Sequence, residues 1–287
     1  MVKFGVSIWI GEVKAEDKIR RLHNVGLNYV EISIDYPLPF KRLEFLEELY
    51  RTSKELGVDI AFHLPWRDVA LASPISWVRK ASLKTITNAI EYTLKMEPIY
   101  YNLHLLTMES LRLKDVWEEI LEVSIDSLNE ILDMLKPYNI MLLLENNNTR
   151  IFHTPDHISY IAQVIDEIMF CFDIGHAVIA LWREGIENVE VDDVITSWSK
   201  AYPKGRLITI HVHGVRRDPI RCIALEHIPL KYSFKDFRSI KRLIKEHNIK
   251  YANVEIFNEP KHMNNLKIEE IEDNLKLFIN GVTSCPY

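Results

Sequence analysis

Glycine is scarce in this chain, with nine in 287 residues, and the first apolar run, FGVSIWIGEV, carries no GxGxxG turn after it. An open doubly wound sheet is expected to have that phosphate-binding turn, so its absence counts against that fold. Cysteine is scarcer: Cys171, Cys222 and Cys285 are odd in number and include no CxxC pair. A disulfide framework or a thiolate metal site is disfavoured, and free thiols in a reducing compartment are expected. No uninterrupted apolar run reaches the roughly 18 residues of a membrane-spanning helix, and the start MVKFGVSIWIGEVKAEDK has no signal-peptide core. The expectation is a soluble, cytoplasmic protein without a membrane partner. Positive charge is not in excess either, since 35 Lys and Arg face 41 Asp and Glu for a net charge of −6. This argues against a surface coated with basic groups, while leaving room for a local basic mouth.

Short apolar runs alternate with longer amphipathic stretches. The runs are FGVSIWI (4–10), YVEISI (29–34), DIAFHL (59–64), YYNLHLL (100–106), IMLLLEN (140–146), IMFCFDI (168–174), LITIHVH (207–213) and YANVEIF (251–257). Several are almost continuously hydrophobic, as parallel strands covered on both faces should be. Between them, FKRLEFLEELYRTSKELGVD and VRKASLKTITNAIEYTLKM place apolar residues at three- and four-residue steps, the helical pattern. Eight strand–helix units, ending in the helix around IEEIEDNLKLFI and interrupted by no Pro/Gly/Ser-rich linker, predict an α/β chain. Its expected form is a (β/α)8 TIM barrel, one single domain over residues 1–287.

In such a barrel the chemistry collects at the C-terminal strand ends. Those ends read His63, His104, Glu145, Asp173 with His176, His211 with His213, and Glu255. Any one alone is most simply a hydrogen-bonded structural residue. Six successive strand ends of metal-binding type are another matter, because the barrel gathers them around one mouth, where they would repel or stay desolvated without a cation. Imidazole and carboxylate without cysteine suit Zn²⁺, Mn²⁺, Fe²⁺ or Co²⁺. Glu145, Asp173, His211 and Glu255 are expected to hold one ion, and His63 with His104 a second, bridged by Glu145.

At these residues the chain resembles the xylose-isomerase-like barrel superfamily, which includes sugar isomerases and epimerases and the endonuclease IV branch of apurinic-site nucleases. The motifs that carry the likeness are FHLPWRDVALASPISWVRKASL, the LLLEN strand end, the DxxH of FDIGH and the HVH strand end. The resemblance implies that Glu145, Asp173, His211 and Glu255 form the metal site common to both branches. It implies that His63 and His104 are the extra ligands of the nuclease branch, and that His176 and His227 belong to that branch's third zinc. The third zinc's aspartate is missing, because the chain reads LEH, with Leu225 at that place and Glu226 one residue out of step. In the epimerase branch, His176 and Arg217 would instead bind substrate oxygens while Glu145 and Glu255 move the proton. HVHGV followed by EHIPL is also similar to the cobamide-remodelling phosphodiesterases.

The loops beyond the strands carry Arg67, Arg150, Arg183, Arg216, Arg217 and Arg221. Arginine suits bidentate contact with phosphate or carboxylate, so an anionic substrate is expected, with Arg67, Arg150 and Arg217 as its ligands. Trp9 and Trp66, at strand ends one and three, can stack on a sugar, a base or a larger plane, although rim packing is their simpler use. The expectation is a divalent-metal-dependent phosphodiester hydrolase, using zinc or manganese in one central site and up to three in all. Its catalytic residues would be Glu145 and Glu255, with a metal-activated hydroxide attacking abasic DNA or a small phosphodiester. The alternatives are a metal-dependent sugar or sugar-phosphate isomerase or epimerase, and a non-catalytic binding protein on a decayed barrel. Gly175 is expected to supply a tight turn after Asp173.

Overall fold

The computed structural model describes residues 1–9, 12, 14–107, 116–149, 151–218, 223–258 and 266–283. Eight parallel strands close into a barrel: β1 (Lys3–Ile8), β2 (Tyr29–Ser33), β3 (Asp59–His63), β4 (Tyr100–His104), β5 (Met141–Glu145), β6 (Met169–Asp173), β7 (Leu207–Val212) and β10 (Tyr251–Val254). They follow one another around the ring in chain order, and β10 closes onto β1. Helices α1 (Ala15–His23), α2 (Leu43–Leu56), α3 (Ser76–Thr93), α4 (Trp117–Leu135), α5 (Pro155–Val164), α6 (Ile174–Arg183), α7 (Val191–Ser199), α8 (Arg238–His247) and α9 (Ile268–Thr283) complete the units. The barrel expected from the sequence is the one observed. Two elements go beyond eight simple strand–helix units: a second helix, α7, between α6 and β7, and an antiparallel hairpin, β8 (Gly214–Asp218) with β9 (Ile223–Ile228), after β7.

The helices form for local reasons and are held by burial. In α2, Leu46, Leu49 and Ser53 recur at three- and four-residue steps on the buried face, and the helix stops at Gly57, whose φ of 69° is the left-handed cap that glycine adopts at least cost. Each such leucine, fully buried, contributes about 1.5–3 kcal/mol.

Strand alternation sends every second side chain inward. In β4 this places Tyr100, Asn102 and His104 on the barrel axis, and in β2 Tyr29, Glu31 and Ser33. The result is a stack of unlike layers. At the N-terminal end, Tyr29, Tyr100 and Tyr251 meet edge to face or tilted at 5.3–6.2 Å between ring centroids, beside Leu143 and Cys171. At the C-terminal end the same strands end in imidazoles and carboxylates. Cys171 is a buried free thiol, while Cys222 and Cys285 lie outside the described residues.

Candidate metal centre and active site

Strand pairing sets the site's frame. Register places His104 beside Glu145 and Asp173 beside His211, and Glu255 follows β10 with its backbone N–H donated to the Val212 carbonyl at 3.0 Å. Glu145, Asp173, His211 and Glu255 each bring one ligand atom within 4.8 Å of the other three, all buried. Glu145 Oε1, Asp173 Oδ2, His211 Nδ1 and Glu255 Oε2 have no hydrogen-bond partner, although His211 Nδ1 lies only 2.9 Å from Glu255 Oε2. Four buried ligand-type side chains, each with an atom that lacks a hydrogen-bond partner, fit a divalent cation, because buried polar groups of this kind are normally paired.

Glu145 also faces a second group. His63 Nε2 is 3.6 Å from Glu145 Oε2, and His104 Nε2 is 3.7 Å from Oε1. The His63 Nδ1 lies 2.9 Å from the Leu64 carbonyl and donates to it, which leaves Nε2 turned toward Glu145. His63, His104 and Glu145 thus form a second three-residue group within 4.8 Å.

The sequence CFDIGHA resolves into an N-cap. Asp173 caps α6 by accepting the His176 N–H at 2.6 Å on Oδ1, and the same oxygen accepts from His213 Nε2 at 3.1 Å. Oδ2 is thereby left for the centre. The His213 ring has no nitrogen to spare, since Nδ1 is 3.0 Å from the His227 backbone N–H and 3.2 Å from the Gly214 carbonyl. His176, His213 and His227 do cluster within 4.8 Å, but only His176 and His227 retain a nitrogen for a ligand. Gly175 serves a different purpose from the expected tight turn. Its φ is not positive, and a Cβ there would overlap the His213 ring, so glycine is required for the approach of His213 to Asp173.

Leu225 is buried, as the aspartate's replacement would be if it took no part, whereas Glu226 lines the cavity and accepts the Asn148 side-chain amide at 2.9 Å. His227 holds a φ of 55°, uncommon for a non-glycine residue, while its Nδ1 donates to the Glu255 carbonyl at 3.1 Å. The cavity above the ligands has a volume of about 440 Å³ and includes His63, His104, His176, His227 and Glu255 in its wall. That size is ordinary for a small-molecule site, of the order of 300–1,000 Å³.

Charge in the metal-free centre is balanced by protons. Burial pulls the His63 and His176 imidazoliums down, but Glu145 beside the first and Asp173 with Glu145 beside the second outweigh it, raising them to about 9 and about 10. Burial pushes Glu145 up, yet His211 and His104 hold it well below the usual carboxylate range. Glu255 goes the other way and is raised by burial. His104 is lowered to about 3, first by burial, and stands neutral.

The predicted rim residues separate into two sets. Arg67 lies 5.0 Å from the Trp9 ring and 4.9 Å from the Trp66 ring, and all three line the cavity. The Trp66 and Arg67 backbone N–H groups both donate to Asp35 Oδ1 at 2.9 Å, fixing this wall. Trp9 stacks on Phe257 at 4.5 Å, and Phe257 on His227 at 4.4 Å, so a continuous column of rings joins rim to ligands. Arg217 is elsewhere: it sits on β8, about half-exposed, 3.6 Å from Glu187, and is not part of the cavity wall. Arg183 donates to the Asn148 side-chain oxygen at 3.0 Å, bracing the loop after β5. Arg150 and Arg221 lie outside the described residues.

Sequence reasoning missed Glu31, Asn102 and Asn146. The Asn102 side chain donates to both Glu31 and Glu145. Asn146 exchanges hydrogen bonds with the Asp173 backbone, donating to its carbonyl at 2.9 Å and accepting its N–H at 2.8 Å. A charged or amide residue inside an apolar run, as in YVEIS and YYNLH, was the available signal.

A profile of the xylose isomerase-like TIM barrel family matches residues 19–280. The chain belongs to that family. Among its relatives, an uncharacterized protein of Methanocaldococcus jannaschii is 30% identical over 189 residues, and the match covers 61% of this chain and 61% of that protein, less than two thirds of its length. The structure of a D-tagatose 3-epimerase-like protein superposes with a TM-score of 0.75 at 20% identity, covering 99% of both chains. An AP endonuclease, family 2, from Brucella melitensis superposes at 0.66 with 16% identity, covering 97% of this chain and 98% of that one. At such identities these two neighbours establish the fold alone. The xylose isomerase-like barrels are enzymes of more than one reaction type, and divalent metals are typical of them. Among the described residues, no helix is long and apolar enough to cross a membrane.

Proposed function

We propose that this barrel is a divalent-metal-dependent phosphodiester hydrolase acting on a small anionic phosphoester. The observation that carries the reading is the sharing of Glu145 between two ligand groups, His63 and His104 on one side and Asp173, His211 and Glu255 on the other. Proton transfer next to a carbonyl needs one polarising ion, whereas a pair of sites about one bridging carboxylate suits the two oxygens that exchange at phosphorus. Bound ions, zinc or manganese, would neutralise charge on the phosphoryl group and acidify water.

The chain's own residues supply the rest. Glu145 stands between the two groups, with Oε2 near His63 and His211 and Oε1 near His104. Arg67, steadied between two indoles, is placed to take a flanking phosphate oxygen bidentately. Trp9 and Phe257 keep water from that side of the cavity and offer a flat face. Glu226 shares the cavity wall with His176 and His227 and adds a carboxylate beside them. The cavity's size and the net charge of −6 favour a small phosphodiester over duplex DNA, which requires several neutralised phosphates.

An epimerase reading has one observation in its favour. Glu255 is raised while Glu145 is lowered in the same four-residue group, as an acid/base pair requires. Arg217, the arginine that reading needs at the substrate, instead faces Glu187. Metal-reconstituted protein should hydrolyse bis(p-nitrophenyl) phosphate, and cleave abasic DNA poorly. Interconversion of ketoses with no phosphodiester turnover would establish the epimerase reading in its place.

A further inference from the structure

The imidazole of His211 reaches the centre through Nδ1, and its other nitrogen does not end in a backbone carbonyl or in solvent. Nε2 lies 3.2 Å from Oε2 of Glu31, a residue of β2 on the opposite wall of the barrel and almost fully buried. The same Oε2 accepts the Tyr100 hydroxyl at 2.5 Å, and Glu31 Oε1 accepts the Asn102 amide at 3.4 Å. The Tyr100 hydroxyl and the Asn102 amide are both donors to the Glu31 carboxylate. A carboxylate surrounded in this way can only accept, so His211 must carry its proton on Nε2 and direct Nδ1 at Glu145, Asp173 and Glu255.

We propose that Glu31 is a positioning residue of the metal centre: it fixes the tautomer and ring plane of His211 from beneath, and so sets how tightly the central ion is held. Glu31 does not line the cavity above the ligand atoms and has no hydrogen bond to any of the four orphaned atoms. Its reach is through His211 and, by way of the Asn102 amide that donates to both carboxylates, through Glu145. Carboxylate partners of ligating histidines orient the ring and raise its basicity, and their loss typically weakens metal binding about 10- to 100-fold. Strand geometry explains why the partner comes from so far away in sequence. Glu31 points inward one layer below the strand ends, at the depth where a ring entering from His211 presents its far nitrogen.

The inference rests on the metal-binding part of the proposed function and is independent of the reaction catalysed. Its test is the affinity for Mn²⁺ or Zn²⁺, by competition with a chromophoric chelator, in the full-length wild type and Glu31→Gln, together with the rise in melting temperature that the metal produces. Glu31→Gln should bind the central ion at least tenfold more weakly and lose much of the metal-induced rise, while its metal-free melting temperature changes little. A purely structural residue would lower the metal-free and metal-bound melting temperatures alike and leave affinity unchanged, which would overturn the proposal. Wild-type protein that takes up no ion would instead overturn the metal centre itself. A second measurement reads the ligating ring in the wild type directly. In ¹⁵N-histidine-labelled wild type loaded with ¹¹³Cd, His211, recognised by the signal lost in His211→Gln, should show cadmium coupling at Nδ1 and a proton on Nε2. Coupling at Nε2 would contradict the assignment.

Discussion

The two ends of this barrel are built from the same eight strands and hold themselves together in opposite ways. At the N-terminal end, Tyr29, Tyr100, Tyr251 and Leu143 pack against one another in a mainly apolar layer held chiefly by burial. At the C-terminal end, Glu145, Asp173, His211 and Glu255 are equally buried and leave four ligand atoms without partners. The first end stabilises the fold in any solution. The second is balanced only by protons or by a cation, and its arrangement makes sense as a binding device. Between them runs a polar layer, with Tyr100 belonging to one end by its ring and to the other by the hydroxyl it gives Glu31.

Substitutions should therefore separate the two ends. Glu145→Gln is expected to have the largest functional effect: metal affinity falls by more than about 100-fold and turnover is lost, while the circular dichroism of the barrel is retained. A variant with full metal content and turnover would remove Glu145 from the bridging role. Leu143→Ala, at the other end, should lower stability by about 2–5 kcal/mol, with chelator-treated and metal-loaded protein affected equally. If the loss appeared only in the metal-loaded form, the two ends would not be separable in this way.

Acidity offers a gentler probe. His63 and His176 are raised to about 9 and about 10, above the unfolded value near 6.5, so the stability they contribute to the metal-free protein is complete below about pH 6.5 and fades as pH rises through 9 to 10. Thermal melts of metal-free protein should drop over that window, and metal-loaded protein should not, because ligating imidazoles are neutral. Proton release on metal uptake near pH 7, measured in weakly buffered solution, checks the same point. The smallest effect is expected at the rim. Arg67→Ala should raise KM for a phosphodiester about five- to tenfold, corresponding to about 1 kcal/mol, with metal content unchanged.

Much of this was legible in the sequence, for a physical reason. Parallel strands buried on both faces announce themselves as apolar runs, and candidate ligands at their C-terminal ends stand out as carboxylates and imidazoles that interrupt them. His63, His104, Glu145, Asp173, His211 and Glu255 were found in that way and do converge. What the sequence concealed depends on partners across the barrel. Glu31 lies inside a run rather than at its end, and nothing in YVEIS says that a histidine 180 residues later meets it. His213 stood beside His211 at a strand end with no role of its own, and only its contacts with Asp173 and the His227 backbone reveal a supporting part. Gly175 looked like a turn residue, whereas the space it leaves is taken by the His213 ring. Arg217 looked like a rim arginine until the hairpin of β8 and β9 carried it to Glu187.

The most direct test of the shared glutamate is the metal content of chelator-free protein after reconstitution, measured by elemental analysis for wild type and His63→Ala. More than one transition-metal ion per chain in the wild type, with close to one ion lost in His63→Ala together with phosphodiesterase activity, is the expected result. A single ion in both proteins would contradict the account.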